Sequence, residues 1–191
     1  MRTFVYKVSI HGAHPPVWRR ITVPENRTLG ELHEILQVVF DWDDMHLHEF
    51  STAQGRVGRV QESLFYGSTE SEFDEASFPI SEAGSKFVYT YDFGDNWEHV
   101  ITLEKILEEE SLHPRVIKWK GDNFVEDCGG VWMANEAIAM LQEKEDPQEA
   151  GDEEDSFEDE WDEEMEVINP FDLEETNRRL ERLCLDASGR R

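Results

Sequence analysis

The sequence predicts an α+β fold, an antiparallel or mixed sheet packed with helices in a single domain, on three observations. Residues 86–103 form two runs of alternating apolar side chains around Gly94-Asp95-Asn96, the pattern of a β-hairpin. Residues 29–40 place apolar side chains at helical spacing behind Thr28 and Glu31, a capping-box pair. All four tyrosines precede residue 135, so one interior is expected in the first three quarters of the chain.

The elements follow in order. Phe4, Tyr6, Val8 and Ile10 alternate, which predicts a strand over 4–10. His14-Pro15-Pro16 interrupts it, and an extended pattern resumes at Val17 and stops at Pro24, giving an antiparallel pair. Leu29, Leu32, Leu36 and Val39, with Ile35 and Phe40, mark an amphipathic helix that Asp41 to Asp44 end. Residues 45–53 read as a strand, Gly55 as a turn, and 62–84 as loop with short pieces. Phe87, Tyr89, Tyr91 and Phe93 are expected to share one face, with Gly94 supplying a positive φ. Trp97, His99, Ile101 and Leu103 make the second arm, and 115–119 a further short strand. Gly129-Gly130 precede a helix over 132–145.

Phe157, Trp161 and Met165 recur every four residues and suggest a short acidic helix. Asn169-Pro170 begins a last helix with Pro170 at its first position, and Leu173, Leu180, Leu183 and Cys184 form its buried side. The expected organisation is a core domain over 1–142 and an acidic linker or short helix over 143–168. A helix over 169–185 docks on the core, and a tail follows at 186–191.

Charge narrows the function. Net charge is −26, and residues 143–166 alone hold 15 acids against one base, Lys144. Such a field repels phosphate backbones and anionic membranes and attracts cations and basic partners. A nucleic-acid interface would need a local basic patch, for which Arg19, Arg20, Arg27, Arg56 and Arg59, or Arg178, Arg179 and Arg182, are the candidates. Two cysteines, Cys128 and Cys184, make no disulfide framework, and no apolar run approaches membrane length. The expected location is the cytoplasm, with no membrane contact.

Several phrases stand together: Pro16-Val17-Trp18-Arg19-Arg20, Thr28-Leu29 with Leu32-His33, and His46-Leu47-His48-Glu49-Phe50. Tyr91-Asp92-Phe93-Gly94-Asp95 follows with Trp97 and His99, then Glu126-Asp127-Cys128-Gly129-Gly130 and Phe171-Asp172. In this order, from about residue 3 to 182, they resemble the plasmid pRiA4b ORF-3-like family. The resemblance implies an α+β fold with an antiparallel sheet, and an association with plasmids and insertion sequences, but no enzymatic role. It brings a resolvase-like label for some members. A serine recombinase needs a nucleophilic serine among catalytic arginines and a basic tail, and this chain has neither arrangement. One departure is visible: the family usually has a Pro-Pro pair where Phe124-Val125 stands, so a differently shaped loop is expected there.

Candidate chemistry centres on His46-x-His48. On a strand both imidazoles would face one side and hold a divalent transition metal. Asp92 and His99 complete that expected metal set, with Asp95, Glu126 and Asp127 as further members of the cluster. Asp92-Phe93-Gly94 spells the kinase motif, but the nucleotide loop and catalytic loop are missing, so a hairpin corner is expected. Cys128 precedes a helix start, yet Glu126 and Asp127 oppose a thiolate. Trp18, Arg19, Tyr91 and Trp97 are candidates for lining a ligand cleft. The sequence therefore points first to a non-catalytic interaction module for a basic protein or a small cationic ligand. Its alternatives are a metal-dependent, hydrolase-like enzyme on the His/Asp cluster and a DNA-linked role in a mobile element.

Overall fold

The computed structural model describes residues 2–59, 71–109, 111–144 and 167–188. Strand β1 (Thr3–Ile10) pairs antiparallel with β2 (Trp18–Pro24), and Tyr6, Val8 and Ile21 are fully buried between sheet and helix. Helix α1 (Leu29–Phe40) starts as its capping box requires. Thr28 Oγ1 accepts from Glu31 N–H at 3.2 Å, and the Glu31 carboxylate accepts from Thr28 N–H at 2.9 Å. It stops at Asp41, whose left-handed backbone (φ 60°) lets its N–H reach back to the Gln37 carbonyl.

The remaining elements are β3 (His48–Thr52), β4 (Gly55–Gly58), β5 (Phe73–Asp74), β6 (Lys86–Tyr91), β7 (Trp97–Leu107), β8 (Arg115–Lys120) and β9 (Asn123–Phe124). Helix α2 (Gly130–Lys144), β10 (Ile168–Asn169) and helix α3 (Leu173–Ser188) follow. Eight strands form one sheet in the order β5-β4-β3-β6-β7-β1-β2-β8, and β9 pairs with β10. All neighbours are antiparallel except β4 and β5. The fold class is α+β, as the patterning predicts. One face of the sheet carries Phe50, Phe87, Tyr89, Tyr91 and Ile101, and α1 lays Leu29, Leu32, Leu36, Val39 and Phe40 over it. Among the described residues no helix is long and apolar enough to cross a membrane.

Four local expectations are corrected. β3 begins at His48 rather than 45, because the chain bends at His46 before it extends. Phe93 leaves the face of Tyr91 and is 44% exposed, because β6 ends at Tyr91 and Asp92 turns the chain. The positive φ values of that turn belong to Asp92 and Asn96, not Gly94, and Asp92 Oδ1 accepts from Gly94 N–H at 2.9 Å. Pro170 lies before the last helix. Asp172 caps it instead, its carboxylate accepting from Glu175 N–H at 2.9 Å. Residues 145–166, with the helix expected around Phe157, Trp161 and Met165, lie outside the described residues, as does the end of the tail from 189.

Helix α3 packs against α1 and β8 through the fully buried Leu180, and the Asn177 side-chain amide bonds both the N–H and the carbonyl of Val116. The two ends of the chain also meet at Arg19. Its guanidinium is completely buried and donates to the Trp18 and Lys120 carbonyls and to Asn123 Oδ1 at 2.6 Å. It stacks 4.0 Å from the Phe171 ring centroid. Burial pushes its pKa down to about 10, against the pull of Asp122.

Replacing Arg19 by methionine keeps most of the volume but removes the donor from the buried Asn123 Oδ1 and from two part-buried carbonyls. We expect Arg19→Met to lower the unfolding free energy by about 3 kcal/mol. Urea denaturation read by tryptophan fluorescence checks this, and a loss near zero would show that the guanidinium holds nothing together.

Candidate functional site

Three loops meet at one corner of the sheet. The first is the link from α1 to β3 carrying His46, the second the turn after β6 carrying Asp92, and the third the loop before α2 carrying Glu126 and Asp127. Tyr91 fixes their spacing. Its hydroxyl accepts from Met45 N–H at 3.0 Å and donates to Glu126 Oε1 at 2.5 Å. Burial, and then Glu126, push its pKa up, so it remains a donor. Asp95 accepts from Gly129 N–H at 3.1 Å. Gly130 sits at φ +77°, and a Cβ there would come within 2.4 Å of the Asp95 carbonyl oxygen, so only glycine lets the two loops touch.

His46 lies between two carboxylates. Nδ1 is 3.7 Å from Asp92 Oδ1, and Nε2 is 3.1 Å from Asp127 Oδ1 without aligned hydrogen-bond geometry. His46 and Asp92 line an open groove of about 470 Å³ together with Asp44, Met45, Arg59 and Phe93, and Asp127 stands next to it against His46. Met45 is 76% exposed, and the Asp127 side chain 73%.

His48 does not join it. It enters the interior, stacks on His33 of α1 with ring centroids 3.6 Å apart, and puts Nε2 2.7 Å from Glu75 Oε2. His33 Nε2 lies 3.0 Å from Asp44 Oδ1, and Nδ1 2.7 Å from the Tyr89 hydroxyl. Gln37 donates to the same hydroxyl at 3.0 Å, so Tyr89 accepts from Gln37 and donates to His33, leaving the His33 proton on Nε2, toward Asp44. Arg59 reaches Asp44 Oδ2 at 2.9 Å and Glu75 Oε1 at 3.3 Å. Burial lowers the His33 pKa, so the ring is neutral near pH 7, although Asp44 pulls the other way. Burial raises the Asp44 and Glu75 carboxyls, but their histidine and Arg59 partners outweigh it and hold both below their ordinary values.

The seven cluster candidates therefore separate. His46, Asp92, Asp127 and Glu126 share the groove corner, with Asp95 beside it on Gly129. His48 belongs to a second, buried group, because the chain bends at His46 and β3 starts only at His48, so no strand alternation relates the two rings. His99 stands apart from both. It faces Tyr89 across the β6–β7 register, packs on Phe40 and Trp42, and puts Nδ1 3.0 Å from the Trp97 carbonyl oxygen. The expected metal set of His46, His48, Asp92 and His99 is thus spread over three places.

Of the cleft candidates, Arg19 and Trp97 are core residues. Trp18 lies on the opposite sheet face under Lys7 and Arg20, and only Tyr91 touches the corner, through its hydroxyl. Burial raises the Cys128 thiol, with Asp95 adding to it, so no reactive thiolate stands at the α2 start.

Sequence reasoning passed over His33, Glu75 and the role of Asp44. One signal was available: His33 is a polar residue inside the apolar stripe of α1, between Leu29 and Leu36.

A family model described as plasmid pRiA4b ORF-3-like protein matches residues 2–180. The chain belongs to the plasmid pRiA4b ORF-3-like family. A family relative, uncharacterized protein y4hQ from Sinorhizobium fredii (strain NBRC 101917 / NGR234), is 33% identical over 137 residues, 71% of this chain and 71% of that protein. A crystal structure of MM3350, a protein of unknown function from Methanosarcina mazei Go1, superposes with a TM-score of 0.64 at 36% identity, covering 74% of this chain and 82% of that one. In the pRiA4b ORF-3-like fold three of the phrases that carried the resemblance, at 46–50, 91–95 and 126–130, converge on the groove corner. The departure at Phe124-Val125 is also explained. Val125 N–H donates to the Val167 carbonyl at 3.1 Å beside the β9–β10 pair, a bond that proline has no N–H to make.

Two outcomes follow from this geometry. Gly130→Ala meets both the positive φ and the Asp95 carbonyl, and should cost at least about 2 kcal/mol by thermal or urea unfolding. Stability should also fall with acid. His99 is held neutral by burial down to about pH 4, whereas the unfolded histidine takes its proton near pH 6.5, so the unfolded state binds more protons in between. Unfolding free energy should drop on the order of 3 kcal/mol from about pH 7 to pH 4, with His33 acting in the same direction. Urea curves at both pH values measure it, and His99→Phe should flatten the slope.

Proposed function

We propose that the chain is a binding module whose groove takes up a cationic group, such as a lysine or arginine side chain presented by a basic protein. The carrying observation is the convergence of Asp92, which lines the groove, and Asp127, which stands behind it, on the groove residue His46, with the exposed apolar side chains of Met45 and Phe93 beside them. Carboxylates hold the charge, and the aromatic face and thioether cover the aliphatic stem of such a side chain. Among the described residues the guanidinium at the groove is that of Arg59, which is held by Asp44 and Glu75, so it does not neutralise Asp92 and Asp127. The net charge of −26 favours the approach of a basic partner from a distance.

Neither alternative has comparable support. A hydrolase-like reading needs His46, His48, Asp92, Asp95 and His99 around one pocket, and they lie in separate places. A DNA-linked reading needs a basic face. Arg19 is buried, while Arg20 pairs with Glu104, Arg27 with Glu31, Arg59 with Asp44, Arg178 and Arg182 with Glu175, and Arg179 with Asp41.

A fluorescent lysine/arginine-rich peptide is the test, read by anisotropy across a salt series. Asp92→Asn with Asp127→Asn should weaken binding by about tenfold, since asparagine keeps the left-handed backbone while removing two charges. Neutralising Asp152 to Asp155 should leave binding within a few fold. Binding that survives the groove double variant but vanishes with the 152–155 variant would show mere attraction to the acidic run, and the groove reading would be abandoned.

A further inference from the structure

The buried group beneath the groove has a different chemistry. Two imidazoles and two carboxylates converge under α1: His33 and His48 are almost wholly sealed, Glu75 is buried, and Asp44 reaches out to line the groove. One ligand atom from each of His33, Asp44 and His48 lies within 4.8 Å of the other two, and Glu75 Oε2 is 2.7 Å from His48 Nε2. Ligand atoms around a four-coordinate ion with bonds of about 2.0–2.2 Å lie roughly 3.3 Å apart. The set closes on a metal once the two parallel rings tilt out of their stack and Glu75 turns from His48 toward the ion.

The surroundings are those of a ligand set. Gln37 holds the Tyr89 hydroxyl, and that hydroxyl bonds His33 Nδ1 with Nε2 facing the carboxylates; to ligate, the ring moves its proton from Nε2 to Nδ1, which then donates to the hydroxyl. The Gln37 carbonyl oxygen also accepts from Asp44 N–H at 2.9 Å, so one amide orients two members of the group. A cation already sits there. The Arg59 guanidinium contacts Asp44, Glu75 and, at 3.2 Å, His33 Nε2.

We infer that His33, Asp44, His48 and Glu75 bind a divalent transition metal of the zinc or ferrous class, which takes the place that the Arg59 guanidinium holds here. Mixed imidazole and carboxylate donors select such borderline ions over magnesium or calcium. The displaced arginine has room, because its side chain already lines the groove. The ion would keep one side toward the groove through Asp44. This site is separate from the Asp92–Asp127 rim and does not depend on the cationic-partner reading.

Cobalt(II) titration of the full chain, in excess magnesium to saturate plain carboxylate sites, is the test. We expect one equivalent to give visible d–d bands of an imidazole-bound low-coordinate ion, and zinc to displace it. Glu75→Gln and His33→Gln should each weaken binding at least tenfold, and Tyr89→Phe about tenfold through loss of orientation. Arg59→Gln should tighten it, because a competing cation is gone. Asp92→Asn with Asp127→Asn should leave the bands intact, just as Glu75→Gln should leave peptide binding intact, so the two sites fail or stand separately. Circular dichroism establishes that each variant is folded. Should His33→Gln not fold, Glu75→Gln and Arg59→Gln carry the test. No bands at saturating cobalt, bands that persist in folded Glu75→Gln, or weaker binding in Arg59→Gln would overturn the inference.

Discussion

Tyr89 buries a phenol hydroxyl completely in the middle of an aromatic sheet, and such a group must find partners inside the protein. It finds them on α1, whose Gln37 and His33 stand one turn apart and bracket the oxygen. That pair pins the helix over the sheet in a single rotational setting, which apolar contacts alone leave degenerate. His33, once fixed, sets the place of Asp44 beyond the helix end and offers a ring face for His48. The rest of the corner inherits its position from this bond: β3 begins where His48 must stack, and the loop carrying His46 is left on the outside.

Much of this architecture was legible because it is local. The capping box at Thr28 and Glu31 and the 29–40 stripe specify a helix from neighbours three and four apart. The alternation of Phe87, Tyr89 and Tyr91 specifies a strand from neighbours two apart. The site was less legible because its members meet across the fold. Glu75 reaches His48 over 27 positions and Asp127 reaches His46 over a longer stretch still, and no spacing rule connects them. His46-x-His48 misled for a physical reason. Period two holds only in extended backbone, and the chain bends at His46, two residues before β3 begins.

Several arginines tie the fold together. Arg19 ties the N-terminal strands to Asn123 and Phe171, Arg27 steadies the start of α1, and Arg179 crosses from α3 to Asp41 at the end of α1. Other bases, among them Lys86, Lys105, Lys118 and Lys120, face outward, and the acidic excess of the chain still outweighs them.

Asn177 has a meaning beyond holding α3 in place. Its amide occupies the N–H and carbonyl of Val116 much as a ninth strand would, on the outermost strand of the sheet. At the opposite rim β5 is only two residues long. A sheet whose borders are blunted in this way offers poor templates for a neighbouring copy, even though Ile117 and Trp119 lie exposed on β8. The protein thus keeps a wide, aromatic-rich sheet without inviting edge-to-edge polymerisation.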